Sequence, residues 1–468
     1  MSNLNRDILY LVFEQIQDDD KKTLFSCLLV NKTWCEIIIP MLWRNPWEHL
    51  NSENGMILLN VINSHLSDVT KNKIREHMIF TDFDQKPLFN YISYCKHLNL
   101  DEIQRIIDEN VNEKSEISNI QNEIFNIFIN ENMKYSHLYV YQNFDSQINF
   151  INGAERCFSE IEFLSCNTDV NDNIITILTE TCKSIRKLEL FINLKNNNYG
   201  IIKLIEEQKK LSDISLTRTH FDDISFYEIL ENSLTKHAST IQFCKFTRSP
   251  TKLLSSCINL KKLELGSKIR SISTSWYCLK DLSFPYLQIL RSSSVPVDVM
   301  TSLIINTKGF LVEIKIDCIW YDETRSKILI QAIYQNCPNI KYLKLKIGNC
   351  SILELEPLLI SCKYLKVLYL LIGEGQFDWN KLFEIFTKSS SSSLYKFKFN
   401  INGQPKLESY KLFFDNWKGR HPMFLQIFSN VIIDFNFNII ERYKKEGIIK
   451  KFDSCYWWDQ GTKDFEFN

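Results

Sequence analysis

Glycine is scarce in this chain, with 12 in 468 residues, and the catalytic loops that depend on it are missing. There is no phosphate loop ending in Gly-Lys-Ser/Thr, no Gly-x-Ser-x-Gly elbow and no His-Glu-x-x-His. The close pair Gly373 and Gly375 lacks the third glycine of a dinucleotide loop and reads as a turn. Eight histidines lie apart, and fourteen cysteines are scattered without a Cys-x-x-Cys pair, so no zinc-ligand spacing exists. The one route left open to an active site is His97 or His137 meeting a carboxylate in space. No window approaches about eighteen uninterrupted apolar residues and no secretory leader opens the chain. Reduced cysteines and a cytoplasmic and/or nuclear location are therefore expected, with no membrane partner. A formal net charge of -1 gives no general attraction for nucleic acid. No cofactor, metal or catalytic residue is expected.

What the chain does contain is periodic. In Leu4–Ile16, the apolar residues Ile8, Leu9, Val12, Phe13 and Ile16 recur at helical spacing, with Asn5 as an N-cap and Leu4 packing on Leu9. Asp18, Asp19 and Asp20 break the pattern and open a second helix carrying Leu24, Cys27 and Leu28. A third apolar stretch holds Trp34, Ile37 and Ile38, is stopped by Pro40, and is followed by Met41, Leu42 and Trp43. About forty-five residues can hardly bury so many large apolar side chains alone, so part of this surface is expected to meet a partner or the next domain.

Leu4, Asp7, Ile8 and Leu9, then Val30–Trp34 and the downstream pair Leu42 and Trp43, resemble the F-box. The likeness covers about a tenth of the chain, and Asn5 stands where that family has proline. It implies docking onto a Skp-type adaptor, and through it a cullin, with Leu4, Ile8, Leu9 and Phe13 as adaptor-binding residues. About half of that stripe is expected to pack the three helices together instead. The plainer reading of the segment is an ordinary helical cap.

From about residue 135 a second pattern returns. Its clearest copies are Cys182–Leu190, Cys257–Leu265, Cys337–Leu345 and Cys362–Leu370, each ending in an apolar pair around one variable residue. With weaker copies, the first member of the pair is Leu138, Ile161, Leu188, Ile214, Ile241, Leu263, Leu290, Ile314, Leu343, Leu368 and Phe397, at separations of 22 to 29 residues. Such a pair points to one side of a short strand. The apolar residues Leu178, Leu253, Ile333 and Leu358, four before each cysteine, place that cysteine at the buried end of a helix. The pattern resembles the cysteine-containing class of leucine-rich repeats.

The expected fold is therefore an α/β solenoid: a three-helix F-box over 1–47, a mainly helical bridge over 48–134, a leucine-rich-repeat horseshoe over 135–400, and a C-terminal repeat and cap over 401–468. Met56–Val61 and Glu102–Ile107 read as helices of the bridge, Cys95–Leu100 as an early irregular copy, and Ser389–Ser393 as a loop. At the end, Lys411–Arg420 reads as a helix, Met423–Phe428 as a last strand and Ile439–Phe452 as a closing helix. The two resemblances imply a non-catalytic substrate-recognition subunit of a cullin-RING ubiquitin ligase. The alternative is a leucine-rich-repeat interaction or scaffold protein outside any ligase. Strand alternation sends Tyr342, Lys344 and Lys346, then Val367, Tyr369 and Leu371, then Lys396 and Lys398, to the concave face. Of these, Tyr342, Lys344, Lys346, Tyr369, Leu371, Lys396 and Lys398 are the candidate residues for a protein substrate, an acidic or phosphorylated segment being favoured. Equally, such lysines can serve only to keep an exposed sheet soluble.

Overall fold

The computed structural model describes residues 5–19, 21–48, 50–74, 77, 86–111, 117–141, 152–193, 196–218, 224–248, 252–266, 274–317, 322–373, 376–401, 405–429 and 437–456. Leu4 and Gly375 lie outside them. The chain divides into two compact units, Met1–Leu234 and Thr235–Asn468.

The first unit opens with helices α1 (Arg6–Asp19), α2 (Lys21–Cys27) and α3 (Lys32–Leu42). The side chain of Asn5 accepts the N–H of Asp7, and that of Asn31 accepts the N–H of Trp34, so both caps come from asparagine. Leu9, Phe13, Leu24, Ile37, Ile38 and Met41 form the core between the three, with Phe13 edge-on to Trp34 at 4.9 Å. Pro40 does not stop α3. It sits two residues from the end, at the cost of the one bond its N–H would have given to the Glu36 carbonyl, and the helix runs on to Leu42.

After α4 (Ser52–Ser64) come the strands β1 (His97–Asn99), β2 (His137–Val140), β3 (Phe163–Asn167), β4 (Lys187–Ile192) and β5 (Asp213–Arg218). Each pairs in parallel with the next. One bond pattern sets their register. The carbonyl just before a strand accepts two consecutive N–H groups of the following repeat: Lys96 from Ser136 and His137, Ser136 from Glu162 and Phe163, Glu162 from Arg186 and Lys187. The series begins in the N-terminal helical segment, where the carbonyl of Arg44 accepts Lys96 and His97 in the same way. The three helices are thus keyed to the sheet by the repeat's own bond.

The second unit holds β6 (Phe243–Phe246), β7 (Lys262–Leu265), β8 (Ile289–Ser293), β9 (Glu313–Asp317), β10 (Tyr342–Ile347), β11 (Val367–Ile372), β12 (Lys396–Ile401), β13 (Met423–Ser429) and β14 (Ile449–Tyr456). These also run parallel in sequence order, and the row is open, not closed into a barrel. Helices or short helical turns connect the strands, as parallel pairing requires. The chain is accordingly an α/β repeat protein whose units cannot complete their cores alone.

Leu188, Leu263, Leu343 and Leu368 are buried beneath the helices. The repeat cysteines cap their helices, the N–H groups of Cys182, Cys337 and Cys362 donating to the carbonyls of Leu178, Ile333 and Leu358 at 2.8–2.9 Å. That of Cys257 reaches Leu254 instead, because its helix is only one turn long. Burial pushes the thiols of Cys337 and Cys362 up to about 12, so they stay protonated and unreactive.

Three further expectations differ from the structure. In the second and fifth copies the strand pairs are Leu164 with Cys166 and Cys244 with Phe246; Ile161 and Ile241 lie three residues upstream, in the place Ile185 and Leu260 hold in their repeats. The segment Ile439–Phe452 is not one helix: the helix Phe437–Lys445 ends at Gly447, whose φ of 73° suits glycine, and the chain turns into β14. Last, Val367, Tyr369 and Lys398 turn to the expected face but are buried there.

Candidate functional site

Two surfaces and one cleft concentrate the unusual chemistry. On the first unit's N-terminal helices, the expected contact stripe divides. Leu9 and Phe13 lie inside the three-helix core, whereas Ile8 is half exposed, because consecutive helix residues are about 100° apart. The outer face of α1 carries Ile8, Leu11 and Val12 at i, i+3 and i+4, and α2 and its following turn expose Phe25, Leu29 and Val30, with Leu29 90% exposed. The helical spacing of the sequence names Ile8 and Val12 of this surface but not Leu11, Phe25 or Leu29, because the stripe it picks out is centred on Leu9 and Phe13, which became core. Single exposed leucines are ordinary; six large apolar side chains on a segment this short are not.

Behind these helices, a cleft of about 1010 Å³ opens between Leu28 in the turn after α2, Trp43, Ile57 of α4 and the imidazoles of His97 and His137. The two rings are neighbours in the β1–β2 register and stack 3.8 Å apart at 8°. They meet each other and not a carboxylate by hydrogen bond, and Ser136 Oγ lies 2.9 Å from His137 Nδ1. Burial, then His137, then Arg44 lowers His97 to about 3; burial, then Arg44 and Lys187 lowers His137 too, with Glu162 opposing. Both rings are neutral at pH 7. Parallel rings direct their nitrogen lone pairs along parallel planes, so they cannot share one metal ion. Among the described residues no group of three His, Cys, Asp or Glu could hold a metal, and no helix is long and apolar enough to cross a membrane.

The second unit's strand face is a charged and aromatic ladder. In one row, Glu264, Arg291, Lys315, Lys344, Tyr369, Lys398, Gln426 and Asp453 are successive register partners. Arg291 bridges Glu264 and Glu313 at 3.0 and 2.7 Å, Lys315 also reaches Glu313, and Lys344 pairs with Asp317 at 2.8 Å. Lys344 Nζ lies 4.7 Å from the Tyr369 ring centre, and Tyr369 stacks on Phe428. Tyr342 lies under Lys315, 4.4 Å from its Nζ, and is half-buried, as are Lys346, Leu371 and Lys396. The candidate substrate residues therefore do share one face. The exposed share of it is carried by Tyr342, Lys344, Lys346, Leu371 and Lys396, since Tyr369 and Lys398 are covered.

Burial and then the neighbouring cations Lys366, Lys398 and Lys450 lower the Lys396 ammonium. Such a face suits an acidic protein segment. Compared with known proteins, the sequence matches no family model and no curated protein.

Proposed function

We propose that this chain is a non-catalytic protein-interaction protein with two docking surfaces, and that its N-terminal helices engage a Skp-type adaptor and through it a cullin. In that arrangement a protein held on the strand face is presented for ubiquitin transfer carried out by other subunits. The repeat architecture by itself supports the broader half of this reading, an interaction or scaffold protein. The observation that carries the narrower half is the exposed apolar surface of Ile8, Leu11, Val12, Phe25, Leu29 and Val30 on a segment resembling an F-box. Leaving it in water is unfavourable, by about 25 cal/mol per Å² of apolar area, and a partner would relieve this. Leu9 and Phe13 contribute by fixing the helices rather than by contact.

The test uses the purified full-length chain and a purified Skp-type adaptor. Wild-type protein is expected to co-elute with the adaptor in gel filtration, and Ile8→Asp/Leu11→Asp/Leu29→Asp to elute alone with its melting temperature unchanged, since none of the three is in the core. No co-elution of the wild type would leave the scaffold reading in place and remove the ligase.

A further inference from the structure

The strand face of the first unit uses its acid differently from that of the second. In the second unit, Glu264, Glu313 and Asp317 each meet a lysine or arginine of the chain. In the first, Glu189 of β4 meets hydroxyls instead: Ser165 Oγ donates to its Oε2 at 3.0 Å and Ser215 Oγ to its Oε1 at 3.5 Å. Among the described residues no lysine or arginine pairs with it, and Lys187, two residues earlier on the same strand, turns to Asp213 at 3.9 Å. A carboxylate offers about four lone-pair sites, so Glu189 keeps acceptor capacity for incoming donors.

Aromatic rings gather around that carboxylate. Leu138, Leu164 and Leu188 are buried on the helix side, so alternation turns Tyr139, Ser165 and Glu189, themselves register partners, to the other face. The small Ser165 is in the middle. Phe163 precedes it by two positions on β3, Tyr139 lies beside it on β2, and the Tyr141 hydroxyl reaches to 2.9 Å from its Oγ. Since Ser165 gives its proton to Glu189, the Tyr141 hydroxyl donates to Ser165. Ring centres are 5.3 Å apart for Tyr139 and Phe163, 5.3 Å for Tyr141 and Phe191, and 6.4 Å for Tyr139 and Tyr141. All four rings are half-buried, which fixes them yet leaves each some surface for a partner. The Tyr141 backbone is held as well, its N–H donating to Asp101 and its carbonyl accepting the Asn167 amide. Burial raises both phenols, Tyr141 to about 12, and Glu189 is the strongest charge acting on each.

Ring faces and a carboxylate with acceptor sites to spare attract the same species, a cation. A guanidinium fits better than an ammonium, because its planar fork gives two N–H groups to one carboxylate and its flat face stacks on rings. We propose that the strand face around Glu189 binds an arginine side chain of a protein partner, with Glu189 accepting both N–H groups and Tyr139, Tyr141, Phe163 and Phe191 as aromatic walls. This surface uses none of the residues of the two docking surfaces proposed above and does not depend on the ligase reading.

Saturation-transfer NMR of the native full-length chain with an acetylated and amidated peptide, Gly-Ser-Arg-Ser-Gly, tests it. The wild type should bind this peptide, and bind its citrulline analogue, neutral but of the same shape, at least ten-fold more weakly. Glu189→Gln retains acceptor oxygen for the two serines but loses the charge, and should weaken arginine-peptide binding at least ten-fold with an unchanged melting temperature. Tyr139→Leu leaves Glu189 in place and should weaken it at least three-fold; it decides the matter if Glu189→Gln proves unstable. No binding by the wild type, equal binding of the arginine and citrulline peptides, or wild-type affinity in either folded variant would overturn the proposal. Tighter binding of the same peptide carrying lysine or trimethyllysine would overturn the assignment to a guanidinium.

Discussion

Leu343→Ala is expected to destabilise the second unit by about 2–5 kcal/mol, read as a lowered urea midpoint of its unfolding transition. Leu343 is fully buried and stands in register between Ile314 and Leu368. Removing its side chain deletes contacts on both sides at once, and a parallel sheet locked by hydrogen bonds cannot collapse into the gap. Lys327→Ala, on the helix surface, should stay within about 0.5 kcal/mol of wild type. A repeat array adds a second expectation: neighbouring strands share the loss, so Leu343→Ala and Leu368→Ala combined should depart from additivity. If Leu343→Ala left the midpoint where it was, the register described here would be wrong.

The first unit should lose stability on acidification in a window set by its stacked imidazoles. His97 has an ordinary value of 6.5 when unfolded and about 3 when folded, and His137 is shifted the same way. Above pH 6.5 both states are neutral and the stability is complete. As pH falls from 6.5 towards 3, the unfolded chain takes up protons that the folded one excludes, and stability is lost. The limiting slope is about 1.4 kcal/mol per pH unit for one group, and about 1 is expected since the rings are in partial contact with water. The groups facing the pair are Arg44 and Lys187, which oppose protonation, and Glu162, which favours it. His97→Gln should flatten the dependence between pH 6.5 and 5 by most of that slope. An identical pH profile for the variant would show that the stack does not exclude protons.

Much of the fold was legible because its strands repeat a leucine pair, and the reasons for the failures are local. Cys166 and Cys244 occupy strand core positions that leucine holds in other repeats, so the upstream isoleucine mimics the first member of the pair. In β14 a register shift opposite Met423 and Phe424 breaks the two-residue alternation, which hid a strand inside an apparently helical run. Alternation correctly gives the side to which Tyr369 and Lys398 turn, but no local pattern says what lies above them. The N-terminal stripe failed for a different reason: it was apolar around more than one face, and only the packing of Phe13 on Trp34 decides which face is inside.

Affinity purification of three full-length forms tests the two-surface account most directly: wild type, Ile8→Asp/Leu11→Asp/Leu29→Asp, and Lys315→Glu/Lys346→Glu. The wild type should retain a Skp-type adaptor, a cullin and a further protein bearing an acidic segment. The N-terminal variant should lose the adaptor and cullin and keep the further protein, and the strand-face variant should do the reverse. Retention of adaptor and cullin by the N-terminal variant, or loss of every partner together from either folded variant, would contradict the account.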